Sequence, residues 1–159
     1  MLTMKVKDVV FDQTLGSVVL LVDPEETKIL PIWVGFFEAQ AIAIGLHQVE
    51  TPRPMTHDLM NNICQSLGAQ VRKVVVSDVV EGTYYALIYL KKEDQEIVAD
   101  SRPSDAIALA LKAGVEILVT EKVMQQAMDM EELDDEKKEE LKALLDSLKP
   151  DDDDKKILH

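Results

Sequence analysis

The stretch EIVADSRPSDAIALALKAG, residues 96–114, decides the fold. Glu96 to Asp100 reads as a short strand. Arg102-Pro103-Ser104 then opens a helix, because proline suits a helix start, where its missing N–H has no partner to lose. Gly114 closes the helix as a left-handed cap. Working outward, Val71 to Ser77 is a strand, Glu81-Gly82 a turn, Thr83 to Leu90 a strand rich in Tyr and Ile, and Lys92 to Gln95 a second turn. The unit is three strands followed by one helix.

The first half of the chain has the same order. Val6 to Phe11 is a strand and Gln13 to Gly16 a turn. Val18 to Val22 is a continuous apolar run, and Asp23 to Glu26 turns, with Pro24 presetting φ. Ile29 to Val34 is a third strand, in which Pro31 points to an edge position or a bulge. Gly35 breaks it, and Phe37 to His47 is a helix. The two helices also match residue by residue. QAIAIGL, residues 40–46, parallels DAIALAL, residues 105–111, at an offset of 65. Matching element order and matching helices together predict an internal duplication. The fold class is therefore mixed α/β of the α+β type: duplicated β-β-β-α units, a mixed sheet packed by helices, and a C-terminal helical tail.

Between the units lies another helix, with Thr56 as its expected N-cap and Gly68 as its C-cap. Met55, Leu59, Ile63 and Leu67 recur at i, i+4 spacing and are expected to face the core. After Gly114 come a short strand, Ile117 to Val119, and a short helix, Glu121 to Met128. The globular domain is set at residues 1–128 and an acidic tail at 129–159. In that tail, Leu133, Leu141, Leu144, Leu145 and Leu148 recur at helical spacing up to Pro150. The acidic run Asp151 to Asp154 is expected to lack structure. With Lys155 it spells a tag-protease string and is set aside.

Composition narrows the classes of function. Aromatic residues make up only 4% of a chain that is 47% hydrophobic, so the core is aliphatic. No apolar run approaches the roughly 18 residues that a membrane span needs. The N-terminus lacks the apolar stretch of a secretion signal. Cys64 stands alone, which excludes a disulfide scaffold and fits a reducing, cytoplasmic setting; in an apolar helix it reads as core. The net charge of −13 divides into −6 over residues 1–128 and −7 over 129–159. Such a surface is unsuited to binding nucleic acid by phosphate neutralisation alone.

Two segments share a local pattern that can carry chemistry. In RPMTHD, residues 53–58, and RPSD, residues 102–105, Arg-Pro stands just before a helix. Taken alone, each is equally well a plain helix start bearing charge. A helix N-terminus also offers free N–H groups to an anion. Arg53 and Arg102 then supply phosphate contacts. His57 is one of three histidines; His47 ends a helix and His159 is terminal. His57 is thus the candidate for acid–base work, and Asp58 and Asp105 are the further catalytic candidates. Glu38, Asp58, Asp100 and Asp105 are the candidate oxygen ligands for Mg²⁺ or Mn²⁺. The chain has no HExxH, P-loop, GxSxG or zinc-site spacing.

Three blocks, LPIWVGFFEAQAIAIGL, TPRPMTHDLMNNICQSLGA and DSRPSDAIALALKAG, resemble the bifunctional nuclease family, in order and over roughly residues 4–125. That resemblance implies a compact α/β fold, a homodimer, and divalent-metal-assisted cleavage of DNA and RNA. Matching positions include Pro31, Trp33, Gly35, Glu38, Arg53, Pro54, His57, Asp58, Asp100, Arg102, Pro103, Ser104 and Asp105. Some members carry a C-terminal segment that resembles a protein-contacting helical hairpin, and the acidic tail is a loose match to it, which implies a protein partner.

Two classes of function follow. One is a metal-dependent nuclease, with nucleic acid as its partner. The other is a non-catalytic dimeric module that binds a small anion or a protein. Geometry separates them: converging carboxylates favour the first, and carboxylates held apart or locked to arginine favour the second.

Overall fold

The structure is a computed structural model that describes residues 1–12 and 16–132, with Glu139 and Ala143 beyond. The turn expected at 13–15, most of the helix expected over 129–148 and the acidic run 151–154 lie outside the described residues.

The uninterrupted apolar run Val18 to Val22 forms β2 (Ser17–Val22), a strand buried at every position. A strand covered on both faces needs no polar alternation. It pairs antiparallel with β1 (Leu2–Val10) and β3 (Lys28–Val34), giving the first three-stranded meander. The second is β4 (Ala69–Val80), β5 (Thr83–Lys92) and β6 (Gln95–Ser101), also antiparallel. Between them sits β7 (Glu116–Val119), antiparallel to β1 and parallel to β4. Among the described residues one mixed eight-stranded sheet results, in the order β6-β5-β4-β7-β1-β2-β3-β8, with β8 (Met128–Asp129) at its end. β8 lies across the boundary expected at residue 128. The helix expected from Glu121 to Met128 is shorter, α4 (Glu121–Met124), because the chain then turns back to the sheet.

The duplication is visible in backbone detail. The register slips at Asp8 in β1 and at Asp78 in β4, and each bulge is followed by Val-Val. Each aspartate accepts a hydrogen bond from the next residue's N–H at 2.8 Å. Pro31 sits where the sheet is open among the described residues, since β8 pairs only with Lys28 and Ile29.

Each meander ends in a helix, α1 (Phe36–Leu46) and α3 (Pro103–Ala113). The offset of 65 holds in the structure: the buried residues of α1, Ala39, Ile42, Ala43, Ile44 and Gly45, answer Ser104, Ile107, Ala108, Leu109 and Ala110, all buried in α3. In that register α3 begins two residues later than α1, at Pro103.

Helices and sheet enclose the main core, which includes Leu21, Leu30, Ile32, Ile42, Val74, Ile107 and Leu109. A smaller cluster of Val10, Val18, Leu20, Val22 and Ile29 includes the other face of β2, with Met130 against it. α1 and α3 pack together at Gly45, where a Cβ would stand 3.1 Å from Leu111 Cβ and 3.9 Å from the Ala108 carbonyl. Both neighbours belong to a buried helix, so neither yields easily. Gly45→Val is expected to destabilise the fold by about 1–3 kcal/mol through overpacking, despite valine's lower chain entropy in the unfolded state. A lowered urea midpoint with unchanged slope checks this.

The remaining helix, α2 (Thr56–Ser66), corrects two expectations. Met55, not Thr56, is its N-cap, and Thr56 is already helical. The stripe Met55, Leu59, Ile63 and Leu67 is not core: these residues are 44%, 50%, 49% and 65% exposed. The helix instead turns His57, Met60 and Cys64 inward. Amphipathic spacing identifies an apolar face but not which neighbour covers it. Among the described residues, no helix is long and apolar enough to cross a membrane.

Candidate functional site

α1, α2 and α3 start close together, and each has a carboxylate at the third position of its first turn: Glu38, Asp58 and Asp105. Acidic groups suit that position because the free N–H groups carry partial positive charge. None of the three helices has a side-chain N-cap hydrogen bond: Gly35, Met55 and Arg102 occupy the cap positions. Ser104 and Asp105 lie inside the first turn of α3.

At Arg102, two helix starts are tied together. Its Nε donates to Asp105 Oδ2 at 2.9 Å, and one terminal nitrogen donates to Glu38 Oε1 at 3.1 Å. Glu38 folds back so far that any Cβ at Gly35 would collide with its carboxylate. Asp105 turns its other oxygen to His57 Nε2 at 3.1 Å. His57 is only 7% exposed, the one buried residue of α2. The chain Glu38–Arg102–Asp105–His57 therefore spans all three helices.

Charge in this network is well matched. Burial pushes the Asp105 carboxyl up, but hydrogen bonds from Arg102 and His57 more than reverse this and hold it below its ordinary range. The same pairing with Asp105, and secondarily with Glu38, raises Arg102 further. A carboxylate that stays charged next to an imidazole draws the ring proton onto the facing nitrogen. With the proton on Nε2, His57 Nδ1 carries the free lone pair.

Glu38, His57, Arg102 and Asp105 line one cleft of about 360 Å³, together with Phe37, Met55 and Lys112. Lys112 was not legible as a site residue. Its ammonium lies 3.1 Å from Asp58 Oδ1, with 17% of its side chain exposed. The available signal was a lysine interrupting an otherwise apolar helix run. Asp58 stands apart from the network. It accepts from Met55 N–H at 3.0 Å and pairs with Lys112. Burial raises its carboxyl, and these two partners lower it below the ordinary value. Arg53 is exposed and lines a second, neighbouring cleft with Asp58 and Lys112. Asp100 is exposed on β6 and lines neither cleft.

The sequence matches the bifunctional nuclease domain over residues 19–132. The chain belongs to the bifunctional nuclease domain family. An uncharacterized protein of Mycobacterium tuberculosis is 42% identical over 146 residues, spanning 85% of this chain and 87% of the relative. Bifunctional nuclease 1 of Oryza sativa subsp. indica is 29% identical over 110 residues, 67% of this chain but 33% of that protein. Bifunctional nuclease 2 of Arabidopsis thaliana is 29% identical over 107 residues, 65% of this chain and 32% of that protein. The family domain thus makes up most of this chain and a minor part of the plant nucleases.

The carboxylates expected to hold a divalent cation are not gathered. Glu38 and Asp105 share Arg102 between them, Asp58 faces Lys112, and Asp100 is remote from both clefts. Among the described residues, no group of three His, Cys, Asp or Glu is placed to hold a metal ion. As arranged, this donor set does not fit Mg²⁺ or Mn²⁺, because a guanidinium occupies the space between the two carboxylates in the cleft.

Proposed function

We propose that this chain is a nuclease that hydrolyses phosphodiester bonds in the cleft between the three helix starts. The observation that carries the reading is the buried His57 held by Asp105 beside two cationic groups, Arg102 and Lys112, in one cleft. His57 Nδ1 takes a proton from the attacking water. The water oxygen bonds to phosphorus as the bond to the leaving oxygen breaks, and that oxygen gains a proton from solvent. Asp105 orients the ring and stabilises the imidazolium that forms. Arg102 has five N–H donors and uses two on its carboxylates, so its remaining donors can hold phosphate. Lys112 adds a second positive charge, with Arg53 further along the strand.

The test is cleavage of labelled DNA and RNA by rigorously purified protein, in chelator and with Mg²⁺ or Mn²⁺. A His57→Ala protein prepared identically stands beside it. Cleavage lost in the variant supports the reading, and equal cleavage by both sinks it. Activity only with added metal would overturn the metal-free route through His57. By the geometric criterion, carboxylates locked to Arg102 or held apart favour the non-catalytic, anion-binding alternative, whereas family membership and the placement of His57 support the nuclease. Phosphate binding without cleavage under any condition would select the alternative.

The exposed α2 stripe supports a homodimer. A contiguous apolar row is uncommon on a monomer's surface, and a second copy offers the same row in a two-fold contact. Leu59→Glu with Ile63→Glu is expected to shift the protein from dimer to monomer in sedimentation. A wild-type protein that is monomeric at every concentration would refute this.

A further inference from the structure

The chain has three phenylalanines, and they touch in one edge-to-face row. Phe11 packs against the core. Its ring meets Phe36 at 5.8 Å between centroids and 68° between planes. Phe36 meets Phe37 at 5.7 Å and 78°. The row ends at the cleft, which Phe37 lines; it is 79% exposed, the most exposed large apolar residue among the described residues. Trp33, also exposed, does not join it: on β3 it alternates with core-facing Ile32 and shares the parity of Ile29, on the sheet's other face.

We infer that Phe37 is a stacking platform for an unpaired base, so that the cleft selects single-stranded nucleic acid. The inference rests on the nuclease reading for the phosphate position beside Arg102 and Lys112. Edge-to-face support from Phe36 fixes the ring, so little side-chain freedom is lost when a base lies on it. The ring lines the same cleft as both cations. One nucleotide can thus set its base on Phe37 and its phosphate on Arg102. In a duplex both faces of each base are already stacked and unavailable. Stacking also answers the charge problem. A globular part with a net charge of −6 over residues 1–128 cannot gain much by tracking a long polyanion. Base–aromatic contact supplies affinity that does not depend on neutralising phosphate.

The experiment is fluorescence anisotropy with the His57→Ala full-length chain, which binds without cutting. Its probes are a labelled oligothymidylate, an abasic strand of equal length and charge, and a duplex. Oligothymidylate is expected to bind about 5- to 150-fold more tightly than the abasic strand, the range for one stacked base. Phe37→Ala should remove that advantage and leave abasic binding unchanged, whereas Phe37→Tyr should keep it. Equal loss on both strands, or no loss on either, overturns the inference. So does a change of sedimentation coefficient in Phe37→Ala, which would make Phe37 part of a self-association face. If Phe37-dependent binding persists while the wild-type chain never cleaves, the nuclease reading fails and this one stands.

Discussion

His57→Ala is expected to lower the rate of phosphodiester cleavage by about 10²- to 10⁴-fold, the range for removing a positioned general base. KM should move little, because Arg102 and Lys112 remain to hold phosphate. The expectation rests on where the ring is held. It is buried except where it lines the cleft, and Asp105 orients it through a 3.1 Å hydrogen bond. Alanine also leaves Asp105 without one of its two side-chain partners, so the variant loses some stability. His57→Gln fills more of the space and is a second check: it should fold at least as well and remain inactive. Unfolding curves for both variants separate loss of fold from loss of chemistry. A folded variant that cleaves at the wild-type rate would place the chemistry elsewhere.

How far this site was legible depends on what each signal records. Strand and helix order came through because apolar runs, turn residues and Arg-Pro helix starts are local. His57, Arg102, Asp105 and Glu38 were all singled out from the sequence, and the structure brings them into one cleft. Their wiring was not legible. Only packing decides that Arg102 reaches across 64 residues to Glu38, turning two supposed metal ligands into the arms of a clamp. Asp58 and Asp100 looked equivalent to Asp105 by residue type. One instead holds a helix start and Lys112, and the other lies exposed on β6. The α2 stripe failed as a core assignment for a related reason. Its spacing defines a face, while its exposure depends on whether another chain covers it.

The gripped carboxylates also give the site a simple logic. Arg102 sits at a cap position where a hydrogen-bonding side chain would ordinarily serve the helix. The site therefore forgoes a cap on α3 and places there a guanidinium that reaches two helices. Its charge keeps Asp105 ionised, and an ionised Asp105 keeps the His57 proton on Nε2. Each link depends on the one before it, so damage to the middle link should be felt at both ends.

Asp105→Asn tests that middle link. Cleavage is expected to fall by about 10²- to 10⁴-fold, close to the loss in His57→Ala, and the double variant should lose scarcely more, because the pair acts as a unit. The reason lies in the amide. Asp105 accepts from Arg102 Nε and His57 Nε2 through its two oxygens. Asparagine has only one oxygen, so its amide N–H groups face one of those donors. If the ring adapts, Nε2 becomes the acceptor, the proton moves to Nδ1, and the lone pair that would take the water's proton is lost. Stability should fall by about 1.5–3 kcal/mol at neutral pH, the range for hydrogen bonds to a charged group. The pH dependence has a definite sign. The folded-state pKa of Asp105 lies below its ordinary value of 3.8. Its share of stability is therefore fully present well above that value and is lost as pH falls through the lower, folded-state value. Urea midpoints of wild type and variant should differ at neutral pH and converge as the solution becomes strongly acidic. A constant gap across that range would mean that Asp105 contributes through packing rather than through its charge.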